Sequence, residues 1–257
     1  MPRFASNISM MFCEWPFEQR YHAAASAGFR AVECWFPYAW PAQEVREWML
    51  DAGVEQVLIN APAGDWINGE RGLAALPGRE REFREGFEHA LSYARVLGCP
   101  RINCLTGIAD ARWPIDRIEA TLMANLRWAA RLAARYDIDC LLEPINNVDV
   151  PDFFLTHIAQ AERLINQIAE PNVRLQFDIY HASMMGGDVE QQLERVRDLI
   201  AHVQFADAPG RHEPGTGHID FSATFDALDR IGYGGWVAAE YDPLHDTLGS
   251  LAWLSES

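Results

Sequence analysis

The sequence has no C-x-x-C pair, no run rich in Lys or Arg, no long apolar stretch and no glycine-rich phosphate loop, and each absence removes a class of function. Its five cysteines, Cys13, Cys34, Cys99, Cys104 and Cys140, are odd in number and widely spread. Neither a disulfide framework nor a thiolate zinc site follows from that pattern, and the thiols are expected as small buried hydrophobes in a reducing compartment. Positive charge is scarce: 21 Lys+Arg stand against 37 Asp+Glu, a formal net charge of −16. A protein that tracks phosphates needs a basic stripe, so nucleic acid and anionic membrane surfaces are both disfavoured as partners. No run reaches the ~20 apolar residues of a membrane span. The segment Met1 to Met11 has one Arg and an apolar stretch broken by Asn7 and two serines, which is too short and polar for a signal peptide. The expectation is a cytoplasmic protein.

What is present is an ordinary globular composition, 49% hydrophobic and 23% charged over 257 residues. A chain this long hides roughly 70–75% of its unfolded surface, and α/β barrels of this size are commonly one domain. One domain over residues 1–257 is therefore expected.

Short apolar runs alternate with longer amphipathic stretches along the whole chain. Strands are expected at Arg3 to Ser6, Ala31 to Trp35, Gln56 to Asn60, Arg101 to Leu105, Asp139 to Glu143, Val173 to Asp178, Ala201 to Phe205 and Trp236 to Glu240. Helices are expected at Phe17 to Ala27, Ala42 to Asp51, Gly78 to Leu97, Ile115 to Tyr136, Phe153 to Ala169, Val189 to Leu199, Ser222 to Arg230 and Thr247 to Leu254. Gly28, Gly53, Gly98 and Gly232 each follow a helical pattern and precede a strand, where a left-handed cap is wanted. Eight strand-then-helix units with nearly continuous apolar strands imply an α/β fold, a single (β/α)8 TIM barrel. An open doubly wound sheet is the competitor, but the first βα turn, Asn7 to Pro16, lacks its phosphate loop.

In such a barrel the catalytic groups sit at the C-terminal ends of the strands. Four expected strands end in, or next to their last residue carry, an oxygen donor: Glu143, Asp178, Gln204 and Glu240. Three converging carboxylates repel one another unless a divalent cation neutralises them, and all-oxygen ligation favours Mg²⁺ or Mn²⁺ over zinc. His181, three residues beyond Asp178, is placed to bond a substrate oxygen. His202 faces the same side of its strand as Gln204. Arg211, in the turn-rich loop Asp207 to Gly217, is the natural clamp for an anionic substrate, unless it pairs with Glu213 or Asp207. Asn60 and Asn103, near the ends of strands three and four, are candidate donors to substrate hydroxyls, and Glu33 faces inward from strand two. The loop Ala61 to Pro77, carrying Trp66, is a candidate cover.

The runs Glu143-Pro144-Ile145-Asn146, Gln176 to His181, His202-Val203-Gln204 with Pro209 to Gly217, and Glu240-Tyr241 resemble the hydroxypyruvate isomerase family, among the sugar isomerase and epimerase barrels related to endonuclease IV. Phe36-Pro37-Tyr38 and Leu76 to Glu80 extend the likeness over nearly the whole chain. The resemblance implies two catalytic glutamates at Glu143 and Glu240, metal ligands at Glu143, Asp178, Gln204 and Glu240, and substrate contacts at His181 and Arg211. The wider ketose epimerases usually carry His at the strand-seven ligand. Gln204 follows the hydroxypyruvate isomerase branch, and a neutral amide oxygen is expected to hold the cation less tightly.

The implied reaction interconverts hydroxypyruvate and tartronate semialdehyde: one glutamate removes a carbon-bound proton, an enediolate forms beside the cation, and the other glutamate returns a proton. The alternatives are an isomerase of a four-carbon 2-oxo acid and a ketose 3-epimerase. A repair endonuclease would need a His-rich trinuclear zinc site and a basic face, which eight His and the −16 charge oppose. A non-catalytic carbohydrate-binding barrel would bind without turnover. The partner expected is a small 2-oxo acid or sugar, with a homo-oligomer as the assembly.

Overall fold

The structure is a computed structural model that describes residues 2–255. Met1, Glu256 and Ser257, included in the expected 1–257 domain, lie outside the described residues.

Eight strands alternate with helices: β1 Arg3–Asn7, β2 Ala31–Cys34, β3 Glu55–Asn60, β4 Arg101–Asn103, β5 Asp139–Leu142, β6 Val173–Asp178, β7 Ile200–Phe205 and β8 Trp236–Ala239. They pair in parallel in sequence order, and β1 closes on β8 through Arg3 opposite Trp236 and Ser6 opposite Ala239. The helices are α1 Phe17–Ser26, α2 Ala42–Ala52, α3 Glu80–Leu97, α4 Ile115–Ala133, α5 Ile158–Ile168, α6 Ile179–Met184, α7 Val189–Val196 and α8 Phe221–Arg230. The expected TIM barrel is what the chain builds.

Two layers of apolar side chains explain the closure. One large cluster fills the space between strands and helices, with Val32, Ile59, Ile102, Leu142, Leu175 and Val203 facing Phe87, Leu122 and Leu164. A second, small cluster plugs the lower barrel interior: Ala5, Ala31, Val57 and Ala238 around Trp236. Both strand faces are thus covered, which is why the strands read as unbroken apolar runs. Gly53 and Gly98 adopt φ of 69° and 67° just after α2 and α3, the left-handed stops their positions suggest.

The register is irregular at two steps: between Val32 and Glu33 of β2 the pairing passes over Val57 of β3, and between Leu175 and Gln176 of β6 it passes over Ala201 of β7. Each slip immediately precedes a polar residue that enters the barrel.

Three departures from the expected elements have physical causes. Helix α5 begins five residues later than its apolar pattern suggests, because Asp152 turns at φ 61° and Phe153 pairs with Ile108 while the Phe154 N–H donates to Gly107. The run Phe153, Phe154 and Leu155 is buried as a loop, and burial alone mimics a helical face. The short α6 has no amphipathic period, since Ile179, Tyr180, His181 and Ala182 are all buried. Near the C-terminus the expected helix is 3₁₀, over Gly249–Ser255. Four of the five cysteines are buried as expected, while Cys13 is exposed. Among the described residues, no helix is long and apolar enough to cross a membrane.

Candidate active site

The polar residues that enter the barrel gather at the C-terminal ends of the strands, where register fixes their neighbours. Asn7 lies opposite Glu33, Asn60 opposite Asn103, and Asp178 opposite Gln204. Glu143 and Glu240 each stand one residue past their strand. All of these side chains are buried.

Glu240 is held by three donors. The Asn7 amide and the Trp35 indole both donate to its Oε1 at 2.7 Å, and Arg211 donates to its Oε2 at 2.6 Å. Burial nevertheless pushes its carboxyl up to about 8, against the pull of Arg211 and with Glu33 adding negative charge nearby.

Glu143 has a poorer environment. Asn103 donates to its Oε2 at 2.6 Å, while Glu240 and Asp178 add negative charge, so burial and like charge together hold this carboxyl well above the usual range. Asp178 is pushed up to about 6 by burial, although Arg211 and the N–H groups of Tyr180 and His181 favour its ionised form. Its Oδ1 accepts those two N–H groups at 2.7 and 3.2 Å, so the same carboxylate caps α6 and faces the pocket.

His181 sits with Nε2 3.6 Å from Asp178 and 4.0 Å from Glu143. Its other ring nitrogen is 2.7 Å from the Asn146 amide nitrogen, and Asn146 is itself fixed because its Oδ1 accepts from Val148 N and Asp149 N. An amide nitrogen can only donate, so Nδ1 accepts and the proton lies on Nε2. Burial and the Arg211 charge keep the ring neutral, well below its ordinary pKa. His181 therefore presents an N–H to the pocket rather than a lone pair.

Below this layer lies a second one. Glu33, fully buried, accepts from Asn7 at 2.8 Å, Gln204 at 2.6 Å and His202 Nε2 at 2.5 Å. Gln176 in turn donates to the Gln204 carbonyl oxygen at 2.5 Å.

Arg211 reaches the pocket from a loop folded around one carboxylate. Asp207 accepts from the N–H groups of Ala208, Gly215, Gly217 and Ile219 at 2.8 to 3.1 Å. Gly217 is required there, because a Cβ would lie 2.1 Å from the Ala208 carbonyl oxygen. Arg211 itself adopts φ 59°, a left-handed conformation unusual for a side-chain-bearing residue. Its guanidinium lies 5.3 Å over the Tyr180 ring, and its side chain is 23% exposed. Burial opposes its charge, but Glu240, Asp178 and Glu143 outweigh that and raise its pKa further. Arg211 pairs with Glu240 at 2.6 Å and approaches Asp178 at 3.8 Å, so its partners are neither Glu213 nor Asp207.

Aromatic side chains form one wall. Trp66, from the loop after β3, packs its ring 5.8 Å from Trp35 and 5.2 Å from Phe36.

Comparison with known proteins places this geometry. Residues 21–257 match the family model described as xylose isomerase-like TIM barrel. The chain is 44% identical over 254 residues to the hydroxypyruvate isomerase of Escherichia coli (strain K12), covering 99% of this chain and 98% of that protein. It belongs to the hydroxypyruvate isomerase family. Like that family's members it is an isomerase, acting on a small molecule. Identity is also 44% to the 2-oxo-tetronate isomerase of Cupriavidus necator, over 99% of this chain and 98% of that one. The crystal structure of AP endonuclease, family 2, from Brucella melitensis superposes with a TM-score of 0.97 at 41% identity, covering 100% of this chain and 99% of that one.

The sequence-derived site residues are brought together at the C-terminal ends of the strands, with two differences of detail. Asn103 spends its amide N–H on Glu143, which leaves its buried Oδ1 without a partner among the described residues. Asn60 is buried at the end of β3, and its backbone carbonyl accepts from the Tyr38 hydroxyl. Four residues that sequence reasoning missed also touch this network: Asn7, Trp35, Asn146 and Gln176. Asn7 carried a usable signal, a polar residue at a strand end, the same rule that picked out strands five to eight.

The residues present fit a divalent cation. Ligand atoms of Glu143, Asp178 and His181 lie within 4.8 Å of one another, and the crowded carboxyls of Glu143, Asp178 and Glu240 all resist ionisation without a compensating charge. The tautomer of His181 argues against it as a ligand and leaves an oxygen donor set.

Proposed function

We propose that this chain interconverts hydroxypyruvate and tartronate semialdehyde, with Glu143 and Glu240 as the proton-transferring pair. The observation that carries the reading is the gathering of two buried glutamates with raised pKa values beside one arginine at the barrel rim. Proton abstraction next to a carbonyl needs a base whose pKa lies near the working pH, and burial supplies that shift. Glu143, Asp178, Gln204 and Glu240 would hold Mg²⁺ or Mn²⁺. When bound, that cation supplies positive charge beside the substrate's carbonyl and hydroxyl oxygens, where negative charge develops.

The remaining work falls to side chains. Arg211 fixes the substrate carboxylate and must exchange part of its pairing with Glu240 to do so, which frees Glu240 as the substrate enters. His181, neutral and with its proton on Nε2, donates to a substrate oxygen, and Asn60 and the Asn103 oxygen contact hydroxyls. One glutamate takes a proton from C3 and the other returns a proton to C2, while the C3 hydroxyl proton passes to the C2 oxygen, so that the alcohol becomes the aldehyde and the ketone becomes the alcohol. Trp35 and Trp66 keep bulk water from the reacting carbons. Four buried thiols fit a reducing, cytoplasmic setting.

A second reading keeps the chemistry and lengthens the substrate by one carbon. It is favoured by the equal identity to the 2-oxo-tetronate isomerase. The test is to incubate the protein in D₂O with hydroxypyruvate, with and without EDTA, and follow the C3 protons and the aldehyde product by NMR. Deuterium entry with product formation is the expected outcome, with product formation lost in both Glu143→Gln and Glu240→Gln. Exchange only with a four-carbon 2-oxo acid moves the substrate to the second reading. Turnover of neutral ketoses alone would overturn the role of Arg211.

A further inference from the structure

Gln204 and Gln176 form a pair of buried amides joined by one hydrogen bond, from Gln176 Nε2 to Gln204 Oε1 at 2.5 Å. Two facing amides have no intrinsic direction, because either can donate to the other. The Gln176 oxygen, buried and without a hydrogen-bond partner among the described residues, is ready to accept from Gln204 if that amide turns over. In the turned orientation Gln204 would present NH₂ to the β6 side of the pocket, where Asp178 stands two residues beyond Gln176 on the same strand face. An amide nitrogen cannot ligate a cation.

Glu33 breaks this degeneracy. Its carboxylate can only accept, and three donors converge on it, one of them Gln204 Nε2 at 2.6 Å. With the nitrogen committed to Glu33, the carbonyl oxygen is turned to β6 and keeps a lone pair beyond the one given to Gln176. The same carboxylate orients Asn7, whose other N–H reaches Glu240. We propose that Glu33 is a positioning residue that fixes the polarity of the Gln204 amide, so that a neutral glutamine can serve as an oxygen ligand at this place in the barrel. The proposal rests on the cation reading of the preceding subsection, and it concerns Gln204 whatever the substrate proves to be.

The experiment is a reciprocal exchange of Glu33 and Gln204, read in two ways. Mn²⁺ alone is titrated into the full chain and free Mn²⁺ is followed by EPR. In parallel the Gln204 side-chain NH₂ resonances are followed by NMR, assigned by their loss in Gln204→Glu. Glu33→Gln is expected to weaken Mn²⁺ binding by about tenfold to a hundredfold, the usual effect of losing a partner that orients a ligand, and to shift or broaden the Gln204 NH₂ signals. Gln204→Glu alone sets two carboxylates against each other and destabilises the fold. The double variant Glu33→Gln/Gln204→Glu restores the donor–acceptor pair with a carboxylate oxygen at the cation site, and Mn²⁺ binding is expected to return. A merely structural role for Glu33 would give no such rescue. Unchanged NH₂ signals in a folded Glu33→Gln protein would overturn the proposal, as would a folded double variant no tighter than Glu33→Gln alone. If the wild-type chain binds no Mn²⁺, the cation reading fails, and the NH₂ signals by themselves decide whether Glu33 sets the amide.

Discussion

Glu143 and Glu240 stand on the same barrel rim, just past β5 and β8 with two strands between them, yet their surroundings differ in kind. Glu240 is gripped by an amide, an indole and a guanidinium. Glu143 has the amide of Asn103 and faces the negative charge of Glu240 and Asp178. Both are buried, and burial is the leading reason that both carboxyls are raised. Arg211 opposes the effect of burial on both carboxyls, but it touches only Glu240, whereas Glu143 is left with a single donor and the combined negative charge of Glu240 and Asp178. Two chemically identical residues thus sit in different hydrogen-bonding surroundings, a pattern suited to acid–base division of labour.

The sharpest way to break the comparison is to neutralise each carboxylate in turn. Glu143→Gln and Glu240→Gln are each expected to lower kcat by roughly 10²–10⁴-fold. Substrate–solvent deuterium exchange then separates them, since the variant that retains the first base keeps exchanging one substrate proton while forming no product. Equal loss of exchange and of product in both variants would count against separate roles.

Removing the guanidinium comes next. Arg211→Ala takes the charge from the Glu240 side, so KM should rise by about 30- to 100-fold, in keeping with the loss of one partner of a buried charge pair. The rate profile should also shift to higher pH, because Arg211 favours the ionised form of Glu240 and Asp178. A profile that stays in place would show that the grip on Glu240 has little effect on its proton.

A third test uses linkage. Asp178 and Glu240 bind protons more tightly when folded, with carboxyls at about 6 and about 8 against ordinary values near 4. The native state therefore keeps protons that the unfolded chain releases, and stability is highest at low pH within this window and falls as pH rises from about 4 to about 8. In EDTA the Tm should decline across that range, each kcal/mol lost lowering it by about 2–4 °C. Mn²⁺ should flatten the decline by occupying the acidic side. A Tm that rises with pH in EDTA would contradict the raised carboxyls.

The smallest expected effect is on the indole. Trp35→Phe keeps the aromatic wall against Trp66 but deletes one of the donors to Glu240. A single hydrogen bond to a charged group is worth about 1.5 kcal/mol at the low end, so kcat should fall by about tenfold with KM nearly unchanged. An unaltered kcat would place the Trp35 contribution in packing alone.

The barrel was legible because its evidence is repeated. Eight apolar runs with glycines such as Gly53 and Gly98 between helix and strand state the same rule many times over, so that an error in one element does not change the fold. The site was legible where a polar residue interrupts such a run near its end, as at Glu143, Asp178, Gln204 and Glu240. It was illegible where function depends on a partner distant in sequence. Nothing around Asn7 indicates that its amide bridges Glu33 and Glu240, 233 residues from Asn7 in the second case. Asn146 looks like an ordinary turn residue, and only its contact with His181 reveals that it sets a tautomer. Helix α5 misled for the opposite reason, since Phe153 and Phe154 are apolar for the sake of a loop that packs on Gly107 and Ile108.

The two irregular steps in the barrel wall, opposite Glu33 and Gln176, place an extra residue in β3 and β7, Val57 and Ala201, four strands apart in a ring of eight and hence on opposite sides of it. A strand presents alternate residues to opposite faces, so the number of residues before each polar side chain decides whether it looks inward at all. The polar layer of the barrel interior is accordingly stored as spacing as much as composition. Loss of a single residue from β2 upstream of Glu33 would turn that carboxylate out of the barrel and bring Cys34 into its place, leaving Gln204, His202 and one N–H of Asn7 without their acceptor. Such a lineage could keep every polar residue named above and still lose the centre that binds them together, so a deletion in these strands is a deeper change than most substitutions at the rim.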